Sequence, residues 1–120
     1  MMTVKALFWL PYCSTCIKAQ QFLLDRGVKI QKTVDIKAEP LSKEQIKELT
    51  TLIGSVEALF SKRAMKYRAL GLDKKQLTDA EMLDYMHQEY TFIKRPVLVT
   101  NTGKILAGFS AKQYALLIDS

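Results

Sequence analysis

The first 36 residues change hydrophobic period twice, and this switching constrains the fold more than any other feature of the chain. Thr3 to Trp9 is apolar and β-branched and reads as a strand. A helix follows from about Ser14 and stops at Gly27, with Arg26 just before it as a basic last-turn residue. Lys29 to Ile36 then returns to alternation, with Ile30, Val34 and Ile36 on one side and Lys32 interrupting the row. Strand, helix and strand in this order form a βαβ unit, and its strand-to-helix junction is occupied by Cys13-Ser14-Thr15-Cys16.

Three later segments begin with the same device. Ser42 is followed three residues on by Gln45, Thr78 by Glu81 and Ser110 by Gln113. Each hydroxyl can accept from the backbone of the third residue while that residue's side chain reaches back, which satisfies two orphan amides at a helix start. Apolar pairs bracket each box: Leu41 with Ile46, Leu77 with Met82, and Phe109 with Tyr114. These fix the entry angle of the chain as hydrophobic staples. Between about Leu41 and Tyr90 the pattern predicts helix throughout, with breaks near Gly54 and Gly71. Two strands come after it, Pro96 to Thr100 and Lys104 to Ala107, joined by Asn101-Thr102-Gly103 as a hairpin turn. Ser110 to Ile118 closes the chain as a helix with Tyr114, Leu117 and Ile118 on one side.

Composition excludes several classes. With 48% hydrophobic and 25% charged residues in 120, the chain is neither disordered nor fibrous, and it needs no metal or disulfide framework to hold a core. The longest apolar run, Ala6 to Leu10, ends at Pro11, too short for a bilayer span or a secretory signal. A reducing cytoplasm is therefore the expected compartment, with no membrane contact. Net charge is +6, and the excess is local: Lys62, Arg63, Lys66, Arg68, Lys74 and Lys75 face one anion, Asp73, between Ser61 and Lys75. No DNA- or RNA-binding motif accompanies that run, so it reads either as a solvated helix face or as a contact for an acidic partner, and no direct nucleic acid binding is expected.

The chemistry centres on the two cysteines. A helix start presents unpaired N–H groups and the positive end of the macrodipole, both of which favour thiolate over thiol. At such a position the pKa of Cys13 can fall from about 8.5 into the range of about 3.5 to 7.5, which makes it the candidate nucleophile. Cys16, three residues on, shares a helix face with it and can displace a thiol captured there, as a resolving group. A zinc site would need further ligands, and beyond this pair the chain has only His87, so no metal is expected. Two inert buried thiols are the other alternative. Arg95-Pro96 opens the third strand, where proline is tolerated at the first position or as a cis peptide.

Taken together, Tyr12-Cys13-Ser14-Thr15-Cys16, Lys94-Arg95-Pro96-Val97-Leu98-Val99, Gly108-Phe109-Ser110 and Tyr67 with Leu70-Gly71-Leu72 resemble the ArsC/Spx family over nearly the whole chain. The resemblance implies an α/β, thioredoxin-like fold: one domain over residues 1–120, with a four-stranded mixed sheet and a helical insertion at about 41–90 between the second and third strands. It implies a cis proline at Pro96 facing the CxxC motif, catalysis by Cys13 and Cys16, and Arg95 binding the negative charge of the substrate. Arg63, Pro96, Ser14 and Thr15 are the further candidates for substrate contact. Residues 97–120 contain no arginine, only Lys104 and Lys112, where the arsenate reductases of the family carry another. With the second cysteine, this points from oxyanions, which guanidinium recognises best, toward disulfides. The implied activity is thiol–disulfide oxidoreduction without a bound cofactor, with glutathione or a thioredoxin or glutaredoxin as reductant and a protein disulfide or thiol adduct as substrate. The alternative implied by the Spx branch is a redox-sensing regulator that binds the C-terminal domain of the RNA polymerase α subunit.

Overall fold

Apolar residues of β1 (Thr3–Trp9) lie at the centre of the sheet in the computed structural model, which describes residues 3–118. Strand β2 (Lys29–Asp35) pairs with it in parallel, Val4 opposite Ile30 and Phe8 opposite Val34. Helix α1 (Ser14–Asp25) makes the crossover between them. Strands β3 (Val97–Thr100) and β4 (Ile105–Ala107) complete the order β2-β1-β3-β4, both antiparallel to their neighbours. The sheet is thus mixed and four-stranded, in an α/β fold of thioredoxin-like kind. Both hairpin strands are one residue shorter than the sequence pattern predicts. Pro96 has no N–H for the ladder, and the Lys104 amide donates to Thr100 Oγ1 at 3.0 Å.

The chain divides into two compact units: one made of everything up to Glu39 together with everything from Arg95 onward, the other of Pro40–Lys94. In the first, Val4, Leu7, Ala19, Leu23, Val28, Leu98 and Tyr114 form the buried core. Helix α6 (Ala111–Ile118) contributes Tyr114, which is fully buried and meets Phe109 edge-on at 4.9 Å, so the expected staple is present there. Gln113 donates its amide to Ser110 Oγ at 3.3 Å.

In the second unit, α2 (Lys43–Ile53) and α5 (Asp79–Gln88) both start with complete capping boxes at Ser42 and Thr78. Two short helices lie between them, α3 (Val56–Leu59) and α4 (Met65–Ala69), with 3-10 turns at Leu72–Lys74 and Tyr90–Phe92. Gly54 and Gly71 break the helices as expected, each with φ positive, at 91° and 71°. The continuous helical pattern between them does not hold, because the chain leaves helix at Phe60, which bridges Ile93 in an antiparallel pair. Lys94 donates its amide to the Leu59 carbonyl at 2.9 Å and Ser61 donates to that of Phe92 at 2.6 Å. Phe60 stacks on Phe92 at 5.4 Å. Burial of that ring pair outweighs the local helical preference of Leu59 to Ala64. Among the described residues no helix is long and apolar enough to cross a membrane.

Candidate active site

Strand β1 ends at Trp9, and a turn closed by the Cys13 amide donating to the Leu10 carbonyl at 3.1 Å brings the chain straight into α1. Cys13 is the N-cap residue, with extended dihedrals of φ −84° and ψ 120°, and its carbonyl accepts the first helical bond from Ile17 at 2.9 Å. An N-cap normally uses a side-chain oxygen to satisfy the first-turn amides. Cys13 offers a sulfur in place of that oxygen, and the first turn carries no acidic residue. The positive end of the helix therefore acts on the sulfur without a competing carboxylate.

Burial of the Cys13 sulfur opposes ionisation. Against it act the Cys16 side chain and amide, the Arg95 guanidinium and the Thr15 amide, which together hold the Cys13 thiol below its ordinary value. Cys16 has the opposite fate. It is completely buried, and burial pushes its thiol up to about 12; the charge on Cys13 adds to the rise, while the Leu10 backbone and Arg95 pull the other way. Both thiols are free, one partly exposed and one sealed in. The acidities of two cysteines three residues apart are thus pushed in opposite directions by their surroundings.

Arg95 reaches this site through the sheet. Because β3 runs antiparallel to β1 with Val97 opposite Phe8, the residues before Val97 lie beyond the end of β1, beside the turn that leads to Cys13. The Arg95–Pro96 peptide is cis, Pro96 is buried, and its carbonyl accepts from the Gly108 amide at 2.8 Å. Gly108 is held in turn, since the buried Tyr114 hydroxyl donates to its carbonyl at 3.0 Å. Tyr114 feels Cys16 as well: burial first, then the charge that Cys16 would carry, shift the phenol upward.

Of the residues expected from sequence, Cys13, Cys16, Arg95, Pro96, Ser14 and Thr15 share one unit, with Ser14 and Thr15 exposed on the first turn of α1. Arg63 belongs to the other unit, in the exposed segment before α4, where its amide donates to Ser61 Oγ at 3.4 Å. Sequence reasoning passed over the rim around Cys13. Tyr12 is 62% exposed, and the Lys37 ammonium lies 5.9 Å from its ring centroid. A large exposed aromatic directly before the cysteine was the available signal.

The ArsC family model matches residues 8–117. An uncharacterised protein of Bacillus subtilis, YusI, is 34% identical over 110 residues, covering 89% of this chain and 92% of its own. The solved arsenate reductase from Vibrio cholerae superposes with a TM-score of 0.82 at 26% identity, covering 98% of both chains. The global transcriptional regulator Spx of Streptococcus pyogenes is 24% identical over 94 residues, 78% of this chain and 69% of its own.

Proposed function

This chain belongs to the ArsC family, and from that premise we propose that it is a thiol–disulfide oxidoreductase with Cys13 as nucleophile and Cys16 as resolving thiol. The observation that carries the reading is the split between the two sulfurs: one partly exposed at a helix start, with its thiol held below the ordinary value, the other buried with its thiol pushed up. The Cys13 thiolate attacks one sulfur of a substrate disulfide; a mixed disulfide forms and the departing thiolate takes a proton from water. Cys13 is then neutral, so the charge that helped keep Cys16 protonated is gone. Cys16 loses its proton and attacks Cys13, forming the internal disulfide and releasing the second substrate thiol. Two electrons have passed from the cysteine pair to the substrate. A dithiol of thioredoxin or glutaredoxin class, or two molecules of glutathione, returns them and restores both thiols.

Arg95 steadies the attacking Cys13 thiolate in the first step and, in the return step, the Cys13 thiolate that re-forms when the internal disulfide is reduced. Ser14, Thr15 and Pro96 line the approach in this reading, and no bound cofactor takes part. Disulfides or thiol adducts are favoured over arsenate because the guanidinium set is thin: residues 97–120 hold no arginine. The test is mass spectrometry after incubation with an equimolar protein disulfide. Wild type should end with an internal disulfide, and Cys16→Ser should accumulate a mixed disulfide at Cys13. An adduct found on Cys16 in the Cys13→Ser variant alone would reverse the roles and end this mechanism.

The similarity to Spx supports a second reading, in which the same cysteine pair is a switch in a regulator that binds the C-terminal domain of the RNA polymerase α subunit. In that branch a glycine of the insertion helps the contact, and Gly54, exposed at the left-handed end of α2, lies about one residue from the matching position. Such a protein should co-purify with polymerase and turn over little disulfide, whereas an oxidoreductase turns over without that partner.

A further inference from the structure

The second unit contains a cleft of about 470 Å³ that the thiol chemistry does not use. It is built from separate segments that meet only in the folded unit: the end of α3, α4, the stretch after the Leu72–Lys74 turn, and α5. Its apolar side is Phe60, Leu77 and Met82, of which Phe60 and Met82 are buried and Leu77 half-buried. Its polar side is Lys62, Lys74 and Lys75 together with Glu57, Asp73 and Gln76, all exposed. Lys62 is tied to Glu57 at 2.9 Å, a contact that holds its ammonium in place at the edge. Around it runs the basic stretch from Ser61 to Lys75, six cations against Asp73.

Charge alone would fit a solvated surface. Two apolar residues inside the stretch do not. Met65 is 91% exposed and Leu70 53% exposed, and α4, the helix beginning at Met65, buries no residue at all. A cleft with an apolar floor and a lysine edge, in a unit that also carries bare apolar side chains on α4, has the composition of a recognition surface. We propose that this face binds an acidic segment of a partner protein, with one large apolar side chain of that segment in the cleft and its carboxylates on Lys62, Lys74 and Lys75.

Charge complementarity chooses this occupant. A free phosphate or small carboxylate would leave most of the volume and the apolar floor of Phe60, Leu77 and Met82 unused. A nucleic acid backbone would set continuous phosphates against Glu57 and Asp73, which also line the cleft, and the buried Phe60 offers no platform for a base. A peptide can space its carboxylates to avoid both acids. This inference stands apart from the cysteine mechanism, since neither residue set enters the other.

The experiment is a ¹H–¹⁵N titration of the full chain with an acetylated peptide carrying one phenylalanine among acidic residues. Saturable shifts are expected at Phe60, Lys62, Tyr67, Lys74 and Leu77. Replacing the phenylalanine of the peptide by alanine should weaken binding about tenfold or more, since a buried aromatic side chain is worth about 1.5–3 kcal/mol. The Lys74→Glu/Lys75→Glu variant, altered only at exposed positions, should weaken it about tenfold, and raising salt from about 0.05 M to about 0.5 M should act in the same direction. The proposal is overturned by absence of saturable shifts, by equal binding of the alanine peptide, or by insensitivity to the lysine reversals. It is also overturned if oligodeoxythymidine or phosphatidylglycerol vesicles engage the same residues more tightly than the peptide.

Discussion

Replacing Arg95 by alanine should change the pH profile of Cys13 in a way that a merely structural defect cannot imitate. The guanidinium is one of the influences that keep the thiol below its ordinary value. Arg95→Ala should therefore raise the Cys13 thiol, each unit of that rise being worth about 1.36 kcal/mol. For each unit the thiolate fraction falls about tenfold at any pH well below both pKa values. A more basic thiolate is a better nucleophile, with a Brønsted slope of about 0.4–0.5, so the plateau at high pH should rise about threefold per unit. The two effects combine to a profile that is, per unit, about threefold slower in acid and about threefold faster in alkali, crossing in between. The assay is the initial rate of thione release from 4,4′-dithiodipyridine, a neutral disulfide, between pH 5 and 10. Arg95→Lys keeps the charge and should stay near wild type on both arms. A uniform drop across the whole pH range, or an unchanged profile, would refute the assignment of Arg95 to the thiolate.

Four further outcomes follow from the same structure. Below pH about 8.5, Cys16 is protonated in both folded and unfolded chains, but between there and about 12 only the unfolded chain ionises, so its burial costs stability as pH rises. Urea unfolding at pH 11 and pH 8 should show a loss at this residue of about 3 kcal/mol that Cys16→Ala does not suffer; parallel losses in both proteins would rule it out. Iodoacetamide at pH 7 should modify Cys13 in the folded protein and reach Cys16 only after denaturant is added, and simultaneous labelling would contradict the burial of Cys16. Ser42→Ala and Thr78→Ala should each cost about 1 kcal/mol in denaturant unfolding, because each removes one half of a complete capping box; no measurable loss in either would show these boxes to be dispensable. Tyr114→Phe should cost about 1 kcal/mol through the lost bond to Gly108, and Tyr114→Ala about 3–5 kcal/mol as the core cavity opens, an order that equal losses would overturn.

The parts legible in the sequence are those set by local rules. Ser42 with Gln45 and Thr78 with Glu81 announce helix starts because the bonds they make span three residues, and both boxes form. The strand before Cys13 and the helix after it are equally local, and they suffice to put the thiol at an N-terminus. The departures have nonlocal causes. Leu59 to Ala64 contains no glycine or proline and looks helical, yet Phe60 is drawn into pairing with Ile93, a contact made across more than thirty residues that no window can register. The proximity of Arg95 to Cys13 depends on β3 lying antiparallel beside β1, and the order β2-β1-β3-β4 is written in no single segment. In the basic stretch, which the pattern allows as a solvated helix face or as a partner contact, the break at Gly71 is legible in the sequence, but the loop before α4 is not, because it follows from the pairing of Phe60.

Complete burial of Cys16 one helical turn behind a partly exposed Cys13 also bears on how this protein ages under oxidants. Peroxide meets only the outer sulfur, where it yields a sulfenic acid. Left alone, that species advances to sulfinic and then sulfonic acid, from which ordinary thiols offer no return. With the roles proposed for the two cysteines, the concealed neighbour condenses with it first, expelling water and parking the damage as a bond that cellular reductants can reopen. On that reading the inner sulfur, shielded from peroxide until called upon, works as a fuse that can be reset.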